Sequence, residues 1–386
     1  MTGPADPPDD VGGHDKCPTC GSTDIAYSQK KGLLVCRYCR AEWSLAFAEQ
    51  ALGYDTDIAT LRGTTVSRGA SDIDRDASDV ITLRCQGCGA EVVVNSAASV
   101  QARCHWCRSV LSLDARVPNG AVPDAVLPFR VTHEQAVTAI HGFARKRWFF
   151  ALRRFRKEFQ PENVVGVFMP YLVVDVNAQI VAQGRGEVET RRYTVRVGEN
   201  STETRYDADV YDVARQADIT VDDLTAESSA RRAGGGRAQD TSNVINAVLP
   251  FDTKNAVSYD ANYLGGFTSE KRDMDVHDTG DRIAQMVFGL GTSKLRRTLT
   301  AYDRGVRWES GAVTVQGVRY LAMLAPVWLY SYYENHGEHD EVLHYIAVNA
   351  RTGATMGSVP VNKPLLAAFS VALTAVVLVL GALVLL

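Results

Sequence analysis

Apolar and polar positions change rhythm several times along this chain, and each change marks an element. Thr132-His-Glu-Gln135 has the form of a capping box, and Val137, Ile140 and Phe143 or Ala144 follow at helical spacing, so a helix starts there. Apolar runs then predict strands over Val164–Met169, Tyr171–Ala182, Glu187–Val197 and Glu203–Val210, with charged turns between them. The stretch Arg231–Thr241, with three consecutive glycines, reads as a loop. A second long helix is expected around Arg282–Tyr302, interrupted near Gly289 and Gly291. Arg319–Tyr333 and Glu341–Asn349 read as a strand pair joined by Glu334–Asp340, and Arg351-Thr-Gly353 as a turn. This pattern predicts a mainly antiparallel α+β domain over residues 117–362.

The domain repeats itself. Ala125-Val-Leu-Pro-Phe129 recurs as Ala247-Val-Leu-Pro-Phe251, and Met169-Pro-Tyr-Leu-Val-Val-Asp175 resembles Ala325-Pro-Val-Trp-Leu-Tyr-Ser331. An internal duplication is therefore expected. The tail follows another rule. Leu365–Leu386 holds no charge, and only Ser370 and Thr374 are polar. At 1.5 Å per residue it rises about 33 Å, against a hydrocarbon core of about 30 Å. Pro364 suits a first helical turn, and Lys363 stands on the entry side. One transmembrane tail anchor over residues 363–386 is the expectation. Residues 1–16 contain no apolar run of the signal-peptide kind and are expected to be disordered. Together these place the protein at the cytoplasmic (inner) membrane as a single-pass protein with its bulk in the cytoplasm.

Eight cysteines occur, all in CxxC pairs. Cys17, Cys20, Cys36 and Cys39 form one set, and Cys85, Cys88, Cys104 and Cys107 the other, each 68 positions after its counterpart (17 to 85, 39 to 107). Two residues between cysteines let both sulfurs face one point, and two such knuckles supply the tetrahedron that structural Zn²⁺ takes. The glycine after each first knuckle permits the positive φ of the turn. Two zinc ribbons, 17–46 and 81–116, each with one structural zinc, are predicted. A thioredoxin-like redox pair would need a βαβ context that the pattern lacks. Four thiolates leave no open coordination position, so neither zinc is catalytic, and the adjacent His14 and His105 are bystanders. Thiolates held on metal also fit a reducing compartment.

Composition narrows the function classes. The chain of 386 residues is 46% hydrophobic with a formal charge of −4, which excludes a wholly disordered chain and a basic nucleic-acid coat. Residues 47–80 set Arg62, Arg68 and Arg75 against seven acids and read as a flexible acidic linker between the ribbons. Residues 1–113 hold 11 Lys plus Arg against 14 Asp plus Glu, although Lys30, Lys31, Arg37 and Arg40 keep a small basic patch on the first ribbon. The strongest basic run is Phe143–Phe159. Trp148, Leu152, Phe155 and Phe159 recur there at helical spacing, while Arg145, Lys146, Arg147, Arg153, Arg154, Arg156 and Lys157 lie mostly off that stripe. Two readings stay open: a basic amphipathic helix meeting anionic headgroups or an acidic partner, and a surface helix whose aromatic stripe packs on the sheet. Nucleic acid is a third, weaker reading. His336, His339 and His344 suit a metal or a polar hairpin turn, and the turn accounts for the composition better. No phosphate loop, nucleophile elbow or zincin pair is present, so no enzyme is expected.

The order of features — four-cysteine ribbons, VLPF, VGVFMPYLVVD, a second VLPFD with YLGGF, LAPVWLY, NARTG and VPVNK before an apolar tail — resembles a family of bacterial membrane-anchored zinc-ribbon proteins. Its members carry the labels TFIIB-type zinc ribbon or replication-restart-helicase-like, and some are similar to membrane partners of phage-shock (PspA-type) and SPFH (flotillin-like) proteins. The resemblance covers roughly residues 80–364. It implies recruitment of such scaffolds to the membrane under envelope stress. The helicase label has no counterpart here, because the chain lacks a Walker A motif. The expectation is thus a non-enzymatic, tail-anchored adaptor for protein partners, with a membrane-tethered nucleic-acid-binding protein as the alternative.

Overall fold

The computed structural model describes residues 17–22, 24–71, 80–84, 90–95, 102–103, 106, 110–111, 116–117, 123–198, 201–229, 249–264, 266–270, 272, 274–335 and 341–385. At its N-terminal end β1 (Ile25–Ser28), β2 (Leu33–Cys36) and β3 (Glu42–Trp43) form a small antiparallel sheet in that order. Its apolar side is not free: Leu34 is fully buried in a core shared with Phe129 and Tyr263. The stretch expected as a flexible linker carries α1 (Ala48–Ala51), β4 (Gly63–Val66) and α2 (Arg68–Ser71). Strand β4 runs parallel to the later strand Val306–Asn335, with Gly63 opposite Gly317. In the region of the second cysteine set lie β5 (Val80–Arg84), β6 (Glu91–Asn95), β7 (Ala102–Arg103), β8 (Val110–Leu111) and β9 (Arg116–Val117). A second zinc ribbon over 81–116 was expected here as a small domain of its own. Strand β5 pairs with β6 and β9, and β6 pairs with the strand Thr268–Glu270, so these three strands extend the main sheet, while β7 and β8 pair only with each other.

The rest of the chain falls into two halves, each with one long strand followed by a return strand. First come β10 (Ala125–Val126), α3 (His133–Lys146), α4 (Arg153–Glu158), the long β11 (Val165–Gly198) and its return strand β12 (Ser201–Glu227). Then come β13 (Val257–Ser258), β14 (Thr268–Glu270), α5 (Val276–Arg296), the long β15 (Val306–Asn335) and its return strands β16 (Glu341–Asn349) and β17 (Thr355–Gly357). The two long strands lie antiparallel at the centre, with Phe168 opposite Pro326 and Pro170 opposite Leu324. Each short entry strand crosses over: β10 runs parallel to β15, and β14 parallel to β11. The sheet order is β13-β10-β15-β11-β14-β6-β5-β9, with β12 on β11, β4 and β16 on β15, and β17 on β16.

Proline has no N–H for a ladder, so a central strand tolerates it only where a ladder is interrupted. Pro170 stands between the residues of β11 that pair with β14 (Val167, Phe168) and those that pair with β12 (from Tyr171). Pro326 stands between the residues of β15 that pair with β10 (Met323, Leu324) and those that pair with β16 (from Val327). Both proline carbonyls accept from the residue just past the return strand, Ser228 and Ala350, at 3.2 and 3.1 Å. The first long strand was expected to break at Pro170 and again at charged turns. The ladder to the other long strand carries it straight through.

Both sheet faces are covered. One carries Val167, Met169, Tyr171, Leu321, Met323, Ala325 and Val327. On the other, α3 and β2 pack near Phe168 and Trp328, and α5 packs beside Val176, Ala178 and Ile180. Helix α3 starts at the Thr132 capping box, where Thr132 Oγ1 accepts from Gln135 N and the Gln135 side chain accepts from Thr132 N.

The tail folds as α6 (Lys363–Leu385), but the expected transmembrane helix is corrected: among the described residues no helix is long and apolar enough to cross a membrane. The described residues form a sheet-rich α+β fold with six α-helices.

Candidate metal centre

Cys17 and Cys20 lie just before β1, and Cys36 and Cys39 at and after the end of β2, so the β1–β2 hairpin brings the two knuckles together. The four Sγ atoms all lie within 4.8 Å of one another, with Cys17–Cys39 and Cys20–Cys36 each at 3.6 Å. All four are free thiols, far beyond the bonding distance of about 2.05 Å for a disulfide. A tetrahedral zinc with Zn–S near 2.3 Å places its sulfurs about 3.8 Å apart, so this cluster can bind zinc. Each knuckle closes with a residue in the left-handed region: Gly21 at φ 71° and Arg40 at φ 63°. Gly21 N donates to Cys17 O and Arg40 N to Cys36 O, both at 2.8 Å, so the two turns repeat one geometry.

The thiols differ in acidity. The N–H of Cys39, with that of Tyr38, brings the Cys36 thiol down to about 6 against the effect of burial. Burial opposes ionisation of Cys17, but the N–H groups of Cys20 and Thr19 outweigh it and lower its pKa. The Ser22 N–H favours a thiolate at Cys20, yet burial and the sulfurs of Cys39, Cys36 and Cys17 push it up to about 12. The quartet thus keeps a proton that a cation must displace.

The ribbon is fastened to the body. Tyr27 OH donates to Phe129 O at 2.8 Å, Gln29 Nε2 donates to Val131 O at 2.5 Å, and the Tyr27 and Tyr263 rings stand 5.0 Å apart. Of the small basic patch, Lys31 pairs with Glu42 and Arg37 with Asp24 at 3.8 Å. Tyr38, between the cysteines of the second knuckle, is 80% exposed.

Cys85, Cys88, Cys104 and Cys107 lie outside the described residues. Their surroundings are informative. The β7–β8 pairs Ala102–Leu111 and Arg103–Val110 are the β2–β3 pairs Leu34–Trp43 and Val35–Glu42 moved on by the same 68 positions (34 to 102, 43 to 111). Trp106, between Cys104 and Cys107, is buried against Tyr345, ring centroids 4.8 Å apart.

The basic run is not one amphipathic helix. Helix α3 ends at Lys146, Trp148–Phe150 form a 3-10 turn, and α4 begins at Arg153. The aromatic stripe packs inward: Phe155 is buried against Tyr332 at 5.0 Å, and Trp148 and Phe159 flank it. Arg147 lies over the Phe143 ring at 3.6 Å and Arg154 pairs with Glu158 at 2.9 Å. Arg145, Lys146, Arg153 and Lys157 are exposed, and Arg156 is half-buried. Exposed Phe149 and half-buried Phe150 meet Phe369 of α6 at 6.0 and 5.3 Å, so the tail helix starts beside this run. Of the three histidines, His336 and His339 lie outside the described residues, and the ring nitrogens of His344 meet Glu334 at 2.8 Å and Ser358 at 3.0 Å.

Sequence reasoning missed a second cluster, in which Asp175, Asp222 and Asp223 lie together. Buried Arg319 reaches Asp175 with Nε at 3.0 Å and a terminal nitrogen at 2.5 Å, and Lys254 pairs with Asp222 at 3.3 Å. Thr253 Oγ1 donates to Asp223 at 2.7 Å. Burial, with Asp223, Asp175 and Asp222 around it, pushes Glu49 up to about 7. Arg319 and Lys254 thus pair with Asp175 and Asp222, while Asp223 is held by Thr253 and faces Glu49. The signal for this node was a single charge inside each of two apolar runs, VVDV and VRYL.

No family model matches the chain, and no solved structure matches it. It is similar to the uncharacterized protein YdjG of Bacillus subtilis (strain 168), 23% identical over 355 residues that cover 92% of each chain.

Proposed function

We propose that this chain is a non-enzymatic adaptor that uses zinc ribbons to hold protein partners at a membrane surface. The observation that carries the reading is the four-cysteine cluster on a ribbon fastened to the body at Tyr27, Gln29 and Leu34. A closed thiolate quartet has no position for a substrate, so its use is to fix shape, and the shape it fixes presents Tyr38 outward. Exposed tyrosine on a rigid turn suits a protein interface. The repeated register of β7–β8 supports a second structural zinc at Cys85, Cys88, Cys104 and Cys107. Partners of the PspA or SPFH scaffold type follow from the resemblance in the sequence. For nucleic acid, the pairing of Lys31 and Arg37 with acids leaves little free positive charge on the ribbon.

A membrane surface is the proposed location. The described part of α6 exposes Phe369, Val371, Leu373, Val376, Val377 and Leu378, and Phe149 adds to this face beside Arg145, Lys146, Arg153 and Lys157. Apolar side chains bordered by basic ones match anionic headgroups.

The test is crosslinking and pull-down from cells carrying the full-length chain or its Tyr38→Asp variant, with zinc measured in both. The expected result is loss of the main partners with zinc content unchanged. Identical partners in both samples would overturn the adaptor reading.

A further inference from the structure

Four arginines converge on a groove far from the metal centre. It has a volume of about 410 Å³ and is lined by Arg185 and Glu187 of β11, Arg296 at the end of α5, and Arg304 and Arg307 at the entry to β15, with Gly305 and Val306 between. Guanidinium groups repel one another, so such a meeting needs acids. The acids present leave positive charge over. Arg185 and Arg307 are directly opposite in the β11–β15 ladder, an unfavourable like-charge pair, and both reach one oxygen, Glu309 Oε1, at 3.6 and 3.2 Å. Arg304 pairs with Glu189 at 2.9 Å and lies over the Tyr206 ring at 3.7 Å. Arg296 is exposed, and its guanidinium has no hydrogen-bond or ion-pair partner among the described residues. Glu187, the one acid in the lining, has an oxygen accepting from Tyr206 OH at 3.2 Å.

We propose that this groove binds an oligophosphate, either inorganic or as the phosphate chain of a nucleotide. Guanidinium forks match phosphate oxygens in pairs, and an anion between Arg185 and Arg307 relieves the repulsion that Glu309 only partly offsets. The volume suits a ligand of nucleotide size. Val306 is the one apolar side chain in the lining, so the phosphates and not a base are what the groove recognises. The proposal is independent of the ribbon reading.

Isothermal titration of the full-length protein with inorganic triphosphate, at fixed salt, tests it, with ATP titrated separately. Saturable one-to-one binding is expected, with ATP bound about as well as triphosphate. Arg296→Gln should weaken it about tenfold, the scale of one charged hydrogen bond, and Arg307→Gln as much or more. The Arg296 guanidinium has no partner among the described residues, so that variant decides the matter even if Arg307→Gln folds poorly. Absence of saturable binding, or equal affinity in the Arg296 variant, would overturn the proposal.

Discussion

Glu49 leaves α1 toward Asp175, Asp222 and Asp223, and its carboxyl is held near 7 by burial and by those three acids. In the unfolded chain a glutamate ionises near 4.3. Between about 4.3 and 7 the folded chain keeps a proton that the unfolded chain has lost. Stability from this group is therefore greatest below about pH 4.3, falls as pH rises through the window, and levels off above it. Glu49→Gln should flatten that fall and melt higher than the parent at pH 8, with the difference shrinking toward pH 5. Parallel melting curves at both pH values would show that the node does not act on Glu49. The residues of this node were only partly legible. Asp175 and Arg319 each interrupt an apolar run and pair in register. Asp222 and Asp223, by contrast, stand among many other acids of β12, and only the fold selects them.

At the scale of elements, local chemistry was readable and long-range contacts were not. The Thr132 capping box and the spacing of the first two knuckles are short-range signals, and both appear in the structure as read. Helix α5 shows the opposite case. Gly289 and Gly291 suggested an interruption, but the helix runs unbroken from Val276 to Arg296. A Cβ on Gly291 would lie 2.4 Å from Ile180 Cδ1, so the glycine lets α5 sit close on β11. Gly291→Ala should thus destabilise the fold by about 1–3 kcal/mol despite alanine's higher helix propensity. Gly289, with nothing within 4 Å of its Cβ position, serves as the control, and Gly289→Ala should be neutral or stabilising. Denaturant titration of both variants checks this, and equal stabilities would remove the close-packing account. In the basic run the aromatic stripe packs inward, as one of the two open readings had it, but not on a single helix. The spacing fits one helix, yet the backbone bends after Lys146 and again before Arg153 so that Trp148, Phe155 and Phe159 reach the same core.

For the whole molecule, the ribbon and the body share a core. Leu34 belongs to both, and Val131 O accepts from Gln29 and also from Trp328 Nε1, at 2.7 Å. Removing zinc should therefore lower the stability of the body as well, by about 2–5 kcal/mol, the range for emptying a buried leucine site. Chelator titration followed by tryptophan fluorescence and thermal melting checks this. A body that melts unchanged without metal would mean that the ribbon is merely attached. The matched prolines carry a different consequence, one of timing. Each marks where its long strand changes neighbours, and at that point each half's entry strand lies on the other half's long strand. During synthesis, β11 emerges well before β14 and β15, and with β12 alone it can form only a hairpin. Its residues from Val165 to Pro170 then have no ladder partner until the second half has left the ribosome. The first half should therefore close only after β14 and β15 have emerged, and a chain stopped before β15 should be the more prone to aggregate.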